Sequence, residues 1–201
     1  MAPKAVPSRL AQSAYNSPYS HIGAPQAHPT LTRYDPKTMV ERGVTWAEGQ
    51  DPFGRVAQAQ YMHFFGLDFH RVMEGYDEFL NEQEYKDMIE GRTVIPAVRK
   101  YEVNIRRQVT YPDSLIIAYR QELTEPTYNG GTTSVFSLKQ QAIVANCKGS
   151  VTYMDAKTRR PIDIRTVGGG WAALYQGLVS KSNEFKALQE KSGPNDPKSK
   201  M

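Results

Sequence analysis

Asp51 is the residue of this chain best placed to do chemistry. It lies in "GQDPFGRVAQAQY", residues 49–61, between the strand-like "GVTW" and a long helical segment. A positioned carboxylate can serve as a general base or as a nucleophile. A helix N-terminus beside it offers backbone N–H groups that have no intrahelical partner, together with the positive end of the helix dipole. Such donors suit a carbonyl oxygen on which negative charge develops. An aspartate just ahead of a helix is also a common cap, so the local pattern leaves both roles open. Other reactive constellations are missing. No pair among the four histidines has metal-ligand spacing on a plausible element, and no HExxH occurs. There is no GxSxG, which argues against a serine hydrolase of the α/β type. GxGxxG and Walker A sequences are absent too. The single Cys147 rules out an internal disulfide and a cysteine-cluster metal site, and reads as an idle or buried thiol. No metal is expected.

The elements around Asp51 follow from periodicity. The strand expected before it is "RGVTWAEG", residues 42–49. From Gln58 the period changes: Tyr61, Phe64, Phe65, Phe69, Val72, Met73 and Tyr76 recur at spacings of three and four, one apolar stripe of a long, central, buried helix. Asp68 interrupts that stripe and reads as a helix-face or inter-subunit polar contact, with a second pocket acid as the alternative. His63 and His70 fall off the stripe, on a solvent-facing or interfacial side. A shorter, more polar helix follows in "GYDEFLNEQEYKDMIEGR". From Thr93 to about Arg165 the sequence is β-branched and aromatic with local alternation, as in Tyr101, Val103 and Ile105 against Glu102, Asn104 and Arg106. Turns are expected at "TYPDS" and at "EPTYNGG", where Asn129-Gly130 is a hairpin signal, with a break at "NCKG". A last helix enters through Gly168 to Gly170. A sheet built from these strands has a face to bury, and one long apolar helix covers it.

The order strand, long apolar helix, antiparallel strands, with "DPFGRV" at the first junction, resembles the hotdog-fold acyl-CoA thioesterases of the 4-hydroxybenzoyl-CoA thioesterase type. Asp51, Gly54, Val56 and Tyr61 fall on that family's motif. "VNIRRQVTYPDSLIIAY" is similar to its strand–turn–strand, and "VTYMDAKTRRPIDI" to its last strand. The resemblance spans roughly residues 37–166. It implies an α+β hotdog fold, a curled antiparallel sheet around a long central helix, with an extra C-terminal helix. It further implies an acyl-CoA thioesterase in which Asp51 is base or nucleophile and the N–H of Gln58 polarises the thioester carbonyl. Gly54, Val56, Tyr61, Phe64 and Phe65 would line the substrate site, which takes an apolar or aromatic acyl group, and Arg106 and Arg107 would meet the phosphates of coenzyme A. Coenzyme A belongs to the substrate, so no cofactor is implied. The expected partner is a second copy of the chain, as homodimer or homotetramer. The chain departs from the motif at Arg55, Ala57 and Gln58, where many members carry His or Asn, and near Gly66, where many carry Glu. These departures keep a non-catalytic acyl-binding or scaffold hotdog open. A hotdog enoyl-CoA hydratase would carry His five residues after the Asp, and Val56 stands there.

Composition sets the remaining bounds. At 201 residues the chain suits one domain with tails. Residues 1–36, rich in Pro, Ser, Ala and Gln, read as a flexible or wrapping arm, 37–166 as the hotdog domain, 167–191 as the C-terminal helix and 192–201 as a flexible tail. The net charge of +4 comes from scattered Lys and Arg, with no basic stripe or nucleic-acid motif. No run of about 18 apolar residues suggests a membrane span. Ser199, Lys200 and Met201 are similar to the peroxisomal signal S-K-L, so a peroxisomal import receptor is an expected partner and the peroxisome the expected location, ahead of cytoplasm and mitochondrion.

Overall fold

The computed structural model describes residues 30–45 and 49–191. Most of the predicted arm and the whole tail, including Ser199, Lys200 and Met201, lie outside the described residues, as do His21 and His28. The elements are β1 (Val40–Gly43), α1 (Gln58–Glu74), α2 (Glu82–Ile89), β2 (Val94–Ile105), β3 (Ser114–Glu125), β4 (Tyr128–Ser137), β5 (Ala142–Asp155) and α3 (Trp171–Lys191). The five strands form one antiparallel sheet in the order β1-β3-β4-β5-β2. β1 pairs with β3 in the register Val40 to Ile117 and Gly43 to Ser114. The fold is the expected hotdog of the α+β class. Its residues fall into two compact units, described separately below.

The first unit holds β1, α1 and the segments 103–119 and 133–147. Leu115 to Ala118 of β3 form a continuous apolar run with no exposed surface, as expected of a strand covered on both faces. Leu31, Tyr34 and Met39 join Ile116, Phe136 and Leu138 in one core cluster, so the last residues of the span read as an arm are core. The Tyr34 hydroxyl lies 2.6 Å from Ser134 Oγ. Buried polar side chains tie the turns of this unit together. Asp113 accepts from Ser114 N (2.7 Å), Lys139 N (3.0 Å) and Ser137 Oγ (2.5 Å), and so ties the "TYPDS" turn to the β4–β5 turn. Ser114 Oγ in turn donates to Glu41 at 2.6 Å.

In the second unit α3 buries Trp171, Leu174, Leu178, Ser182 and Phe185, a single helical stripe. The Trp171 ring meets Tyr153 edge-on at 6.4 Å. Asn81 and Glu84 form a capping box at the start of α2, and Glu84 also accepts from Gly170 N at 3.0 Å. Gly177 has no room for a side chain, because a Cβ would stand 2.3 Å from the Phe79 ring.

Four local expectations need correction. The first strand lies earlier than "RGVTWAEG": β1 ends at Gly43, Val44 and Thr45 follow outside it, and residues 46–48 are outside the described residues. The β3–β4 hairpin turns at Pro126-Thr127 and not at Asn129-Gly130. Those two residues serve packing instead. Buried Asn129 donates to the Tyr76 hydroxyl at 3.2 Å, and a Cβ on Gly130 would meet the Gly149 carbonyl at 3.2 Å. "NCKG" does not interrupt β5, which runs on to Asp155. Gly149 is there because the Tyr101 ring lies across it, 3.1 Å from where a Cβ would be. Finally, Asp68 continues the buried face of α1 with Tyr61, Phe64 and Phe65 rather than breaking it.

Candidate active site

Residues 50–56 fold into a tight hairpin that leads into α1. Gln50 pairs with Val56 across it, and Arg55 pairs with Thr110. Gly54 N donates to Asp51 O at 3.0 Å and Asp51 N to Arg55 O at 2.7 Å. Pro52 presets φ in this turn, and Gly54 takes φ +74, which L side chains rarely adopt. Further bonds from Val56 N to Val109 O (2.9 Å) and from Ala57 N to Gly49 O (2.7 Å) fix the hairpin in place.

The Asp51 carboxylate is held by its own loop. Oδ1 accepts from Phe53 N at 2.8 Å and from Arg55 N at 3.0 Å, whereas Oδ2 has only the Arg55 Nε at 3.7 Å. The side chain is 30% exposed. One oxygen therefore orients the group, and the other faces outward with a single distant cation. Asp51 does not cap α1. The N-cap is Ala57, without a side-chain cap, and no acid stands in the first turn. Among the described residues, the N–H groups of Gln58 and Ala59 have no acceptor. The positive end of a 17-residue helix is left unfilled.

A cavity of about 220 Å³ lies next to this loop, walled by Arg42, Thr45, Val56, Gln60, His63 and Phe64. Two expected substrate residues, Val56 and Phe64, line it. Tyr61 and Phe65 are buried at the same face of α1 but outside that wall, as are Asp51, Gly54 and Gln58. Arg106 and Arg107 follow β2, where both backbone N–H groups share the Val144 carbonyl at 2.8 and 3.1 Å, a bulge that ends regular pairing. Their side chains are exposed and do not wall the cavity. Sequence reasoning missed Arg42, Gln60 and His63. His63 lies on the exposed side of α1, as expected, and its adjacency to Phe64 is the sequence signal for the cavity.

Two groups on the buried face of α1 have shifted titrations. Burial, and then the negative charge of Asp113, push the Tyr61 hydroxyl up to about 12, so it stays a neutral phenol. Burial pushes Asp68 up to about 7, with the Asp35 charge adding to the rise and the Thr133 hydrogen bond, 2.7 Å from Oδ2, opposing it. Asp68 Oδ1 has no partner. No group of three or more His, Cys, Asp or Glu that could hold a metal is found among the described residues.

Residues 44–174, well over half of the chain, match the Thioesterase-like superfamily. The chain belongs to that superfamily. Its fold is similar to solved thioesterases at low identity. A DHNA-CoA thioesterase from Staphylococcus aureus has 15% identity and a TM-score of 0.56, over 77% of this chain and 94% of its own. A 1,4-dihydroxy-2-naphthoyl-CoA thioesterase from Synechocystis has 10% identity and a TM-score of 0.56, over 72% and 96%. A Staphylococcus aureus protein solved in complex with CoA has 9% identity and a TM-score of 0.56, over 73% and 84%. At these identities the likeness speaks for the fold alone. No curated protein matches the sequence. The motif residues Asp51, Gly54, Val56 and Tyr61 all fall inside the span that matches the superfamily. Among the described residues no helix is long and apolar enough to cross a membrane.

Proposed function

We propose that this member of the Thioesterase-like superfamily is a hotdog acyl-CoA thioesterase of the 4-hydroxybenzoyl-CoA type. The observation that carries the reading is an oriented carboxylate in the turn that leads into an uncapped helix start. Asp51 is fixed through Oδ1, and its Oδ2 takes a proton from water while the water oxygen adds to the thioester carbonyl carbon. Direct attack by Oδ2 on that carbon is the alternative role: it expels the thiol and leaves a mixed anhydride on Asp51, which water then hydrolyses to the same acid. The carbonyl oxygen gathers charge and is met by the Gln58 N–H at the positive end of α1. The C–S bond then breaks, and coenzyme A leaves as the thiol after taking up the proton. Val56 and Phe64, exposed to the cavity, favour an apolar or aromatic portion of the acyl group. Arg106 and Arg107, with side chains that bond no described residue, suit the phosphates of coenzyme A.

A second reading, a hotdog that binds acyl groups without cleaving them, is favoured by one observation. Asp51 already has work in closing its own turn. Release of free thiol from a panel of acyl-CoAs separates the two. The thioesterase reading expects turnover of at least one aromatic or medium-chain acyl-CoA, and binding without thiol release contradicts it.

A further inference from the structure

The cavity beside the Asp51 loop has a polar wall that the proposed hydrolysis does not use. Arg42 makes one side-chain hydrogen bond, from Nη1 to the Glu41 carbonyl at 3.3 Å. Gln60 and His63 donate to no described residue. Gln60 is held in place by Gly49, whose φ of +82 and missing Cβ leave room for it. A Cβ there would stand 2.6 Å from Gln60 Cγ. Among the described residues no carboxylate lines the cavity, and Glu41, the acid next to Arg42, is turned to Ser114. One permanent cation, one amide and one imidazole thus face the same space with donors to spare. A volume of about 220 Å³ holds several waters at ~30 Å³ each. It suits a small anionic group on a short chain, and falls below the roughly 300–1,000 Å³ of sites for drug-sized ligands.

We propose that this cavity is an anion subsite, in which Arg42, Gln60 and His63 bind a carboxylate or phosphate group of the substrate. The proposal rests on the thioesterase reading for the identity of that substrate but not for the binding itself. The anion has two possible sources, a carboxyl group at the far end of the acyl chain or a phosphate of coenzyme A. Arg provides charge-assisted donors to either oxyanion, and the unassigned donors of Gln60 and His63 complete the shell.

The test compares wild-type full-length protein with Arg42→Met and Arg42→Lys, their folding checked by circular dichroism. The substrates are glutaryl-CoA, pentanoyl-CoA and the N-acetylcysteamine thioesters of both acids. If the anion is the acyl carboxylate, the kcat/KM ratio of glutaryl to pentanoyl falls about tenfold or more in Arg42→Met, the size of one lost charge-assisted hydrogen bond. If it is a phosphate, the ratio of CoA to cysteamine thioester falls instead. In either case the change lies mainly in KM, and Arg42→Lys restores part of it. Two unchanged ratios in a folded Arg42→Met overturn the proposal. Should the wild type release no thiol, the thioesterase reading fails and the subsite is judged by binding alone. Glutarate and inorganic phosphate are titrated against the His63 ring signals in NMR. A shift in wild type that Arg42→Met abolishes supports the subsite, and no shift with either anion overturns it.

Discussion

Asp68 sits on the buried face of α1, 1% exposed, with Thr133 on one carboxylate oxygen and nothing on the other. Its pKa is about 7 in the fold against 3.8 for the free side chain, so the folded state holds the proton more tightly. Stability from this group is therefore full below about pH 4 and is lost as the pH rises toward 7. Urea unfolding of wild type and Asp68→Asn at pH 5 and pH 8 checks this. The wild type should lose on the order of a few kcal/mol more than the variant across that step. Equal losses would mean that Asp68 is ionised and solvated. The sequence showed an acid at a core position but not its partner, since Thr133 is 65 residues away. Gly54 is a second residue with a plain requirement. At φ +74, Gly54→Ala should lower stability by about 1 kcal/mol, read as a lower urea midpoint. An unchanged midpoint would argue that the turn relaxes to another form.

At the level of elements, α1 was legible because six apolar residues from Tyr61 to Met73 share one period, with Tyr76 just past its end, and it starts at Gln58 as expected. The strands were legible from β-branched alternation. What failed were their punctuation marks. Asn129-Gly130 and "NCKG" look like turns in sequence but are positions where β4, β5 and the Tyr101 ring need close approach. A local turn signal and a tertiary packing need use the same residue types, so sequence cannot separate them. The hairpin at 50–56 was legible in its turn residues, whereas the cavity walls come from Arg42 on β1 and from α1, elements apart in the chain. The start of α1 supports a prediction of its own. Ala57→Asp adds an N-cap side chain and should raise stability by about 1 kcal/mol. The same carboxylate would occupy the N–H groups proposed for the thioester oxygen, so kcat should fall at least tenfold. A variant that is stabilised yet fully active would show that those donors are not used in turnover.

At the scale of the molecule, β2 is an edge of the sheet, and Val98, Val103 and Ile105 on it are each about 40% exposed. Val103 and Ile105 alternate onto one face. An edge strand with apolar side chains is a template for pairing with another chain, so the homo-oligomer expected from the sequence is predicted to use it. Sedimentation of wild type should give a dimer or tetramer, and Val103→Lys/Ile105→Lys should shift it to monomer with loss of thiol release. A wild-type monomer that turns over acyl-CoA would remove oligomerisation from the account. The central claim is that the oriented Asp51 cleaves a thioester, and Asp51→Asn tests it most directly. The asparagine keeps Oδ1 as acceptor for Phe53 N and Arg55 N, so the hairpin should survive, with an unchanged circular dichroism spectrum. Thiol release from the best acyl-CoA of the panel should drop by at least a hundredfold, the scale of losing a positioned base. A folded Asp51→Asn that retains wild-type thiol release would contradict the account.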